Sequence, residues 1–249
     1  HLDRFERGMT KLRMSLPYDR AQIRRILHEC VRASGLDNAY VELICTRGMA
    51  APGSRDPRDC INRFYTFAVP FVWIANPEQQ ERGLSVHVSS VQRIAPESVD
   101  PTVKNYHWLD LVQGLYDAYD HGAETALLSD AAGNVVEGPG FNVFAVTGGA
   151  LVTPKSGVLE GITRKTALEI GAELAEELGL RVEERALSYD ELVSADEVFV
   201  TSTAGGIVPV TVVDGLEIGD GAPGAVTLRI RERYWGMHEE DRYSEVVTG

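Results

Sequence analysis

Between residues 126 and 153 the chain alternates short apolar runs with paired turn residues, and this constrains its fold more than any other feature. Ala126 to Ser129, Val135-Val136, Asn142 to Val146 and Leu151 to Thr153 carry strand-forming residues, with turns at Ala131 to Asn134 and Gly148-Gly149. Runs this closely spaced return as antiparallel hairpins, because a parallel return needs a crossover of about a dozen residues or more. The second half is therefore predicted to be hairpin-built, not a strand–helix–strand alternation. Neither G-x-G-x-x-G nor G-x-x-x-x-G-K-[ST] occurs, so dinucleotide and P-loop readings lack support.

The first half has a different pattern. Leu2, Phe5, Met9 and Leu12 recur at helical spacing, with Arg4, Arg7 and Lys11 distributed around them and expected to be mostly solvated. Asp19 is an N-cap for a second helix through Ile23, Ile26, Leu27, Cys30 and Val31 that stops at Gly35, which makes Cys30 a core candidate. Tyr40 to Thr46, Phe64 to Ile74 and Leu84 to Ile94 read as strands, and the Gly-, Pro- and Arg-rich stretch from Arg47 to Asp59 as a long loop of the kind that carries function. Trp108, Leu109, Val112, Leu115, Tyr116 and Tyr119 form a helical stripe expected to face the core and to end at Gly122. Further helices are expected from Gly161 to Leu178 and from Val226 to His238, a strand at Glu197 to Thr201, and a loosely held tail from Glu239 to Gly249. The expected fold class is α+β in two domains: a small one over 1–97 and a larger, hairpin-rich one over 98–249. Because His1 reads as the interior of a helix rather than a beginning, earlier residues are expected to precede it.

Composition narrows the chemistry. With 37 acidic against 24 basic residues the net charge is −13, which argues against a nucleic-acid partner, since phosphate backbones demand a basic face. No apolar run reaches the 18 residues of a membrane span, and no signal sequence is expected. Cys30, Cys45 and Cys60 are odd in number and lack C-x-x-C spacing, so neither a disulfide framework nor a metal site is expected, and a reducing cytoplasm fits.

Three places can carry chemistry. Lys104 follows the extended Asp100-Pro101-Thr102-Val103 and precedes a helix; a lysine held dry there loses its proton near neutrality and becomes a nucleophile able to form an imine. Glu137 opens the turn Glu137-Gly138-Pro139-Gly140, where it can approach a ring nitrogen, although acids beside glycines are more often plain turns. Gly161-Ile162-Thr163 starts a helix, whose free N–H groups suit an anion, with Thr163 as a simple N-cap the competing reading. A reactive lysine plus an acid at a pyridine nitrogen is the minimal kit for pyridoxal phosphate (PLP).

Taken together, Thr102-Val103-Lys104-Asn105, Glu137-Gly138-Pro139-Gly140-Phe141-Asn142, Gly161-Ile162-Thr163-Arg164-Lys165 and Thr201-Ser202-Thr203-Ala204-Gly205-Gly206 occur in order at family-like spacing. The chain resembles the fold type IV PLP enzymes, most closely the (R)-selective amine transaminases, over almost its whole length. The resemblance implies that Lys104 is the Schiff-base lysine and proton shuttle and that Glu137 keeps the pyridine nitrogen protonated. It implies that Arg4, the Ile162 and Thr163 amides and the Thr203 hydroxyl bind the phosphate, and that Leu159 packs against the ring. Tyr40, Glu42, Trp108 and Ala204 match positions that line the substrate pockets. In the 47–59 loop the arginine that receives a substrate carboxylate falls at Gly53, leaving Arg55 as its candidate. Pro139 stands where relatives often have a small residue, and relatives carry strands ahead of the Arg4 helix that this sequence does not contain. The implied activity moves an amino group from an (R)-amine or D-amino acid to a keto acid such as pyruvate in two half-reactions, in a homodimer. The alternatives are a branched-chain or D-amino-acid aminotransferase, an aminodeoxychorismate-type PLP lyase, and, from another class, a silent phosphate-binding or assembly module.

Overall fold

A computed structural model of the protein describes residues 1–247. The chain divides into two compact units, His1–Val72 with the tail from Glu245, and Trp73–Ser244.

The first unit contains helices α1 (Leu2–Lys11) and α2 (Arg20–Ser34) and a two-stranded antiparallel sheet of β1 (Ala39–Met49) and β2 (Ile61–Pro70). The signals at both ends of α2 operate as read: the Asp19 carboxylate accepts from the Gln22 amide in a capping box, and Gly35 ends the helix at φ 65°. Cys30 is only half-buried. On α1 it is Arg4 and Gly8 that are buried, not a leucine stripe, so Arg4 departs from the expected solvated base. Phe64 packs with Phe5 and Tyr18 at centroid distances of 6.3 and 6.1 Å. The tail is anchored by an ion pair from Arg24 to Glu245, with His28 Nε2 3.6 Å from the same carboxylate, while Thr248 and Gly249 of the expected loose tail lie outside the described residues.

The second unit runs α3 (Pro77–Arg82), β3 (Leu84–Gln92), α4 (Leu109–Asp120), β4 (Thr125–Ser129), β5 (Asn134–Gly138), β6 (Phe141–Thr147), β7 (Ala150–Thr153), α5 (Ile162–Glu173), α6 (Ala175–Leu178), β8 (Arg181–Glu184), β9 (Leu187–Ser188), α7 (Tyr189–Val193), β10 (Glu197–Ser202), β11 (Gly206–Val213), β12 (Leu216–Glu217) and α8 (Ala225–Gly236). Strands β6, β10, β11, β3, β4 and β5 neighbour one another in that order, and β5 pairs back onto β6, which closes a six-stranded barrel. The hairpins expected from 126 to 153 are present as the antiparallel pairs β4–β5, β5–β6 and β6–β7. β3 joins the barrel through parallel pairing with both β4 and β11. Because β3 is an interior barrel strand, the boundary between units falls after Val72 and not at residue 97.

All six barrel strands contribute to one apolar core, including Val86, Leu127, Val135, Val143, Val200 and Val210. A second core with Phe144, Phe199, Ile170 and Ile230 lies between the barrel and α5 and α8, where the two phenylalanine rings stack at 4.8 Å. On α4 the face that packs is Leu111, Gly114 and Ala118. The expected core stripe is reversed: Leu109 is 67% and Tyr116 65% exposed, with Trp108, Val112 and Tyr119 also in solvent. The reason is close approach, since a Cβ on Gly114 would come within 2.7 Å of the Leu128 side chain. Small residues let the helix lie down on β4, and the large ones are left outside.

Candidate active site

Strands β5 and β6 are joined by Pro139-Gly140, and Gly140 takes φ 85°. Proline at the first and a positive-φ glycine at the second central position suit a type II turn, so Pro139 fits without displacing its neighbours. Glu137, paired across the hairpin with Asn142, is only 4% exposed. Its carboxylate accepts from Arg93 Nε at 3.0 Å, from the Leu159 amide at 2.8 Å and from Asn142 Nδ2 at 3.5 Å. A carboxylate has about four lone-pair sites, so these donors leave room for one more. Burial pushes the Glu137 carboxyl above its ordinary value, with the Leu159 amide and the Arg93 charge opposing it.

Arg93 is shared. Its Nη1 donates to Asp110 at 2.5 Å, and Asp110 accepts in turn from the Ile94 amide at 2.7 Å. Burial raises the Asp110 carboxyl, but the Ile94 amide and Arg93 outweigh it and hold it below the usual range. The end of β3, the start of α4 and the Glu137 hairpin are thereby tied to one guanidinium.

The second element is the start of α5. Gly161 is its N-cap without any side-chain cap, so the Ile162 and Thr163 N–H groups have no intrahelical partner and the dipole favours an anion. Gly161 rather than Thr163 is the cap. Thr163 is buried, and its side chain is hydrogen-bonded to Tyr234. A Cβ on Gly161 would fall 2.2 Å from Asn142 Oδ1, and Asn142 also donates to the Leu159 carbonyl at 2.9 Å. Glu137, Asn142, Leu159 and the α5 start are therefore one assembly.

The tract after β10 adds a third part. Ser202 Oγ donates to the Gly140 carbonyl at 3.0 Å and accepts from the Ala204 amide at 3.2 Å. The Trp108 ring lies 3.5 Å from where a Gly140 Cβ would stand. Trp108 and, through Ser202, Ala204 are thus gathered near Gly140, and the Thr203 side chain is exposed.

Lys104 lies in turn and coil between β3 and α4, not at a strand end, and it is exposed. The expectation of a lysine dried by the chain alone is not met. Its backbone is nonetheless fixed: Val103 is buried, the Val103 amide donates to the Asp100 carbonyl at 3.2 Å, and Asn105 Nδ2 donates to the Val103 carbonyl at 2.8 Å. The sequence has four lysines, at 11, 104, 155 and 165, and Lys165 pairs with Glu169 on α5. In the first unit, Arg4 is buried on α1, Tyr40 and Glu42 are half-buried on β1, and Arg55 is exposed in the loop before β2. Burial raises the Tyr40 hydroxyl above its ordinary value, aided by Glu42 and opposed by Arg4.

Arg93, Asp110 and the structural part of Asn142 escaped sequence reasoning. The available signal was an arginine directly after a strand run, 44 residues from Glu137. A buried acid with a spare acceptor position, beside an uncapped helix start, is chemistry that fits the pyridine nitrogen and phosphate of PLP.

Comparison with known proteins agrees. Residues 1–213 match the family model described as amino-transferase class IV. The branched-chain-amino-acid aminotransferase of Escherichia coli (strain K12) is 32% identical over 95% of this chain and 76% of its own length. Among solved structures, a branched-chain amino acid aminotransferase of Escherichia coli superposes with TM-score 0.87 at 31% identity, covering 98% of this chain and 80% of that one. The branched-chain amino acid aminotransferase from Thermobaculum terrenum in its PLP form gives TM-score 0.86 at 29% identity over 98% and 79%. The chain belongs to the class IV aminotransferases, PLP-dependent enzymes of fold type IV.

Proposed function

We propose that this aminotransferase takes its amino group from a branched-chain amino acid and delivers it to a keto acid in a second half-reaction. The observation that carries the reading is the match, over nearly the whole chain and at about a third identity, to enzymes bearing that name. Bound PLP supplies an electron sink for the carbanion-like state left when the donor loses its proton. In this reading Glu137 holds a proton at the ring nitrogen through its free acceptor position, and Arg93 favours the charged form of that carboxylate against the burial that raises it. The Ile162 and Thr163 amides and the Thr203 hydroxyl bind the phosphate by charge-assisted hydrogen bonds, and Leu159 packs against the ring. Lys104, on its fixed backbone, would hold the cofactor through its amine and, once released, would move the donor proton as base and acid in turn.

A second reading, an (R)-amine donor with pyruvate as acceptor, is favoured by the Val103-Lys104-Asn105 and Thr203-Ala204-Gly205-Gly206 segments. One panel separates the two: L-leucine, L- and D-alanine, and (R)- and (S)-1-phenylethylamine, each mixed with PLP-loaded protein while the cofactor absorbance is followed. Rapid loss of the band with L-leucine supports the branched-chain reading. A response confined to (R)-1-phenylethylamine and D-alanine overturns it in favour of the second.

The homodimer is part of the same proposal, supported by the exposed stripe of Leu109, Val112, Tyr116 and Tyr119 on α4, an apolar surface of the sort that a second copy covers. No helix among the described residues is long and apolar enough to cross a membrane. Three free thiols suit the cytoplasmic location proposed here.

A further inference from the structure

At the end of α4 away from Asp110, two histidines and two aspartates form a cluster that the transamination site does not use. His87, on β3, stacks on His121, the C-cap of α4, with centroids 4.2 Å apart and planes 16° from parallel. His87 Nε2 is 3.6 Å from Asp117 Oδ2, and His121 Nδ1 is 3.4 Å from Asp117 Oδ1. One ligand atom from each of the three residues lies within 4.8 Å of the others. A tetrahedral ion with bonds of about 2.0–2.1 Å spaces its ligands about 3.3 Å apart.

The surroundings prepare these atoms. His87 Nδ1 is 2.5 Å from Asp214 Oδ1, and the same oxygen accepts from the Val88 amide at 3.0 Å. A carboxylate at Nδ1 keeps the proton there and leaves Nε2 as a lone-pair donor facing Asp117, the carboxylate–histidine arrangement found behind metal ligands. Asp214 sits at φ 50° before Gly215 in the turn between β11 and β12. Asp117 Oδ2 is fixed by Ser89 Oγ at 2.6 Å and the Ser90 amide at 2.9 Å, which leaves Oδ1 open. The spacing of Asp117 and His121 by four residues places both on one helix face. His121 Nδ1 also lies 2.8 Å from the Asp117 carbonyl, a bond it would give up to an ion; its side chain is 59% exposed.

We infer that His87 Nε2, the Asp117 carboxylate and His121 Nδ1 form a binding site for a divalent transition ion of the zinc type, with Asp214 as the outer carboxylate and water completing the shell. Two imidazole nitrogens with one carboxylate select zinc, cobalt, nickel or copper over magnesium and calcium, which want oxygen ligands. The site is toward the opposite end of a 12-residue helix from Asp110, about 10 Å along the axis at Asp117 and about 16 Å at His121. Its ion would pin that end of α4 to β3, a structural role separate from transamination. The cysteine spacing that argued against a metal site did not bear on these residues.

The test uses the PLP-loaded protein, stripped with chelator and titrated with Zn²⁺ by calorimetry and with Co²⁺ by its visible ligand-field absorption. One ion per chain is expected. His121→Ala, whose exposed ring makes a folded variant safe, should weaken binding on the order of 10²-fold with turnover unchanged, and Asp214→Asn, which keeps a residue tolerant of positive φ, by about 10–100-fold. A variant with Cys30, Cys45 and Cys60 all changed to Ser should bind as the parent does. No stoichiometric ion, affinity indifferent to His121→Ala, or binding lost with the cysteines would overturn the site, leaving His121 as a hydrogen bond at a helix end.

Discussion

Two glutamate–arginine pairs in the second unit make the same bond and have opposite electrostatics. Glu124 accepts from Arg82, from Gln79 at 2.9 Å and from the Ser85 amide at 2.9 Å. Burial raises its carboxyl, but these donors prevail and bring it down to about 2. Glu137 accepts from Arg93 and an amide as well, yet its carboxyl is raised. The difference lies in solvent and sharing: the Arg82 side chain is 46% exposed and the Arg93 side chain 10%, and Arg93 divides its charge between Glu137 and Asp110. An acid that is wet and richly donated to is a clamp. One that is dry, with a shared cation and a spare lone pair, is poised to take a further proton donor, and only the second kind suits a ring nitrogen.

The contrast can be broken at three points. Glu137→Gln removes the charge and keeps the shape, and turnover should fall on the order of 10²-fold, about 2.7 kcal/mol of barrier at 1.36 kcal/mol per decade, with PLP still bound; equal kcat in parent and variant would remove Glu137 from the chemistry. Arg93→Met strips the shared cation, so the Glu137 carboxyl should rise further and ionise only at higher pH. The acid limb of the pH–rate profile then shifts upward and kcat at neutral pH drops about tenfold, with Arg93→Lys recovering part of it. A profile that loses height without moving would make Arg93 a packing residue only. Glu124→Gln should leave turnover alone and cost stability. Because the folded value lies below the ordinary 4.5, this contribution is complete above about pH 4.5 and is lost as the pH falls toward 2. With Arg82 half in water, screening limits it to about 1 kcal/mol, readable as a denaturation gap between parent and variant that narrows on acidification.

The same contrast explains what could be read from the sequence. Glu137, the Gly161 helix start and the hairpins were legible because local rules set them: turn residues at fixed offsets, short apolar runs between those turns, and a glycine ahead of a helical run. Arg93 was not, since its partners are far along the chain and meet it only when β3 enters the barrel between β4 and β11. The reversed face of α4 has a related cause. Periodicity finds a stripe of large residues, but Gly114 and Ala118 decide the packing by allowing closer approach to Leu128 and Ala126, a contact that no single helix encodes. The domain boundary moved for the reason that hid Arg93, the parallel pairing of β3.

The central claim is that Lys104, exposed in the chain by itself yet fixed between Val103 and Asn105, is the lysine that bonds to the cofactor. PLP-loaded protein reduced with borohydride and digested for peptide mass mapping reports this directly. The account predicts a single pyridoxyl group on the peptide that contains Lys104. A group on Lys155 or Lys165, or an unmodified Lys104 in protein that has bound one PLP per chain, would contradict it.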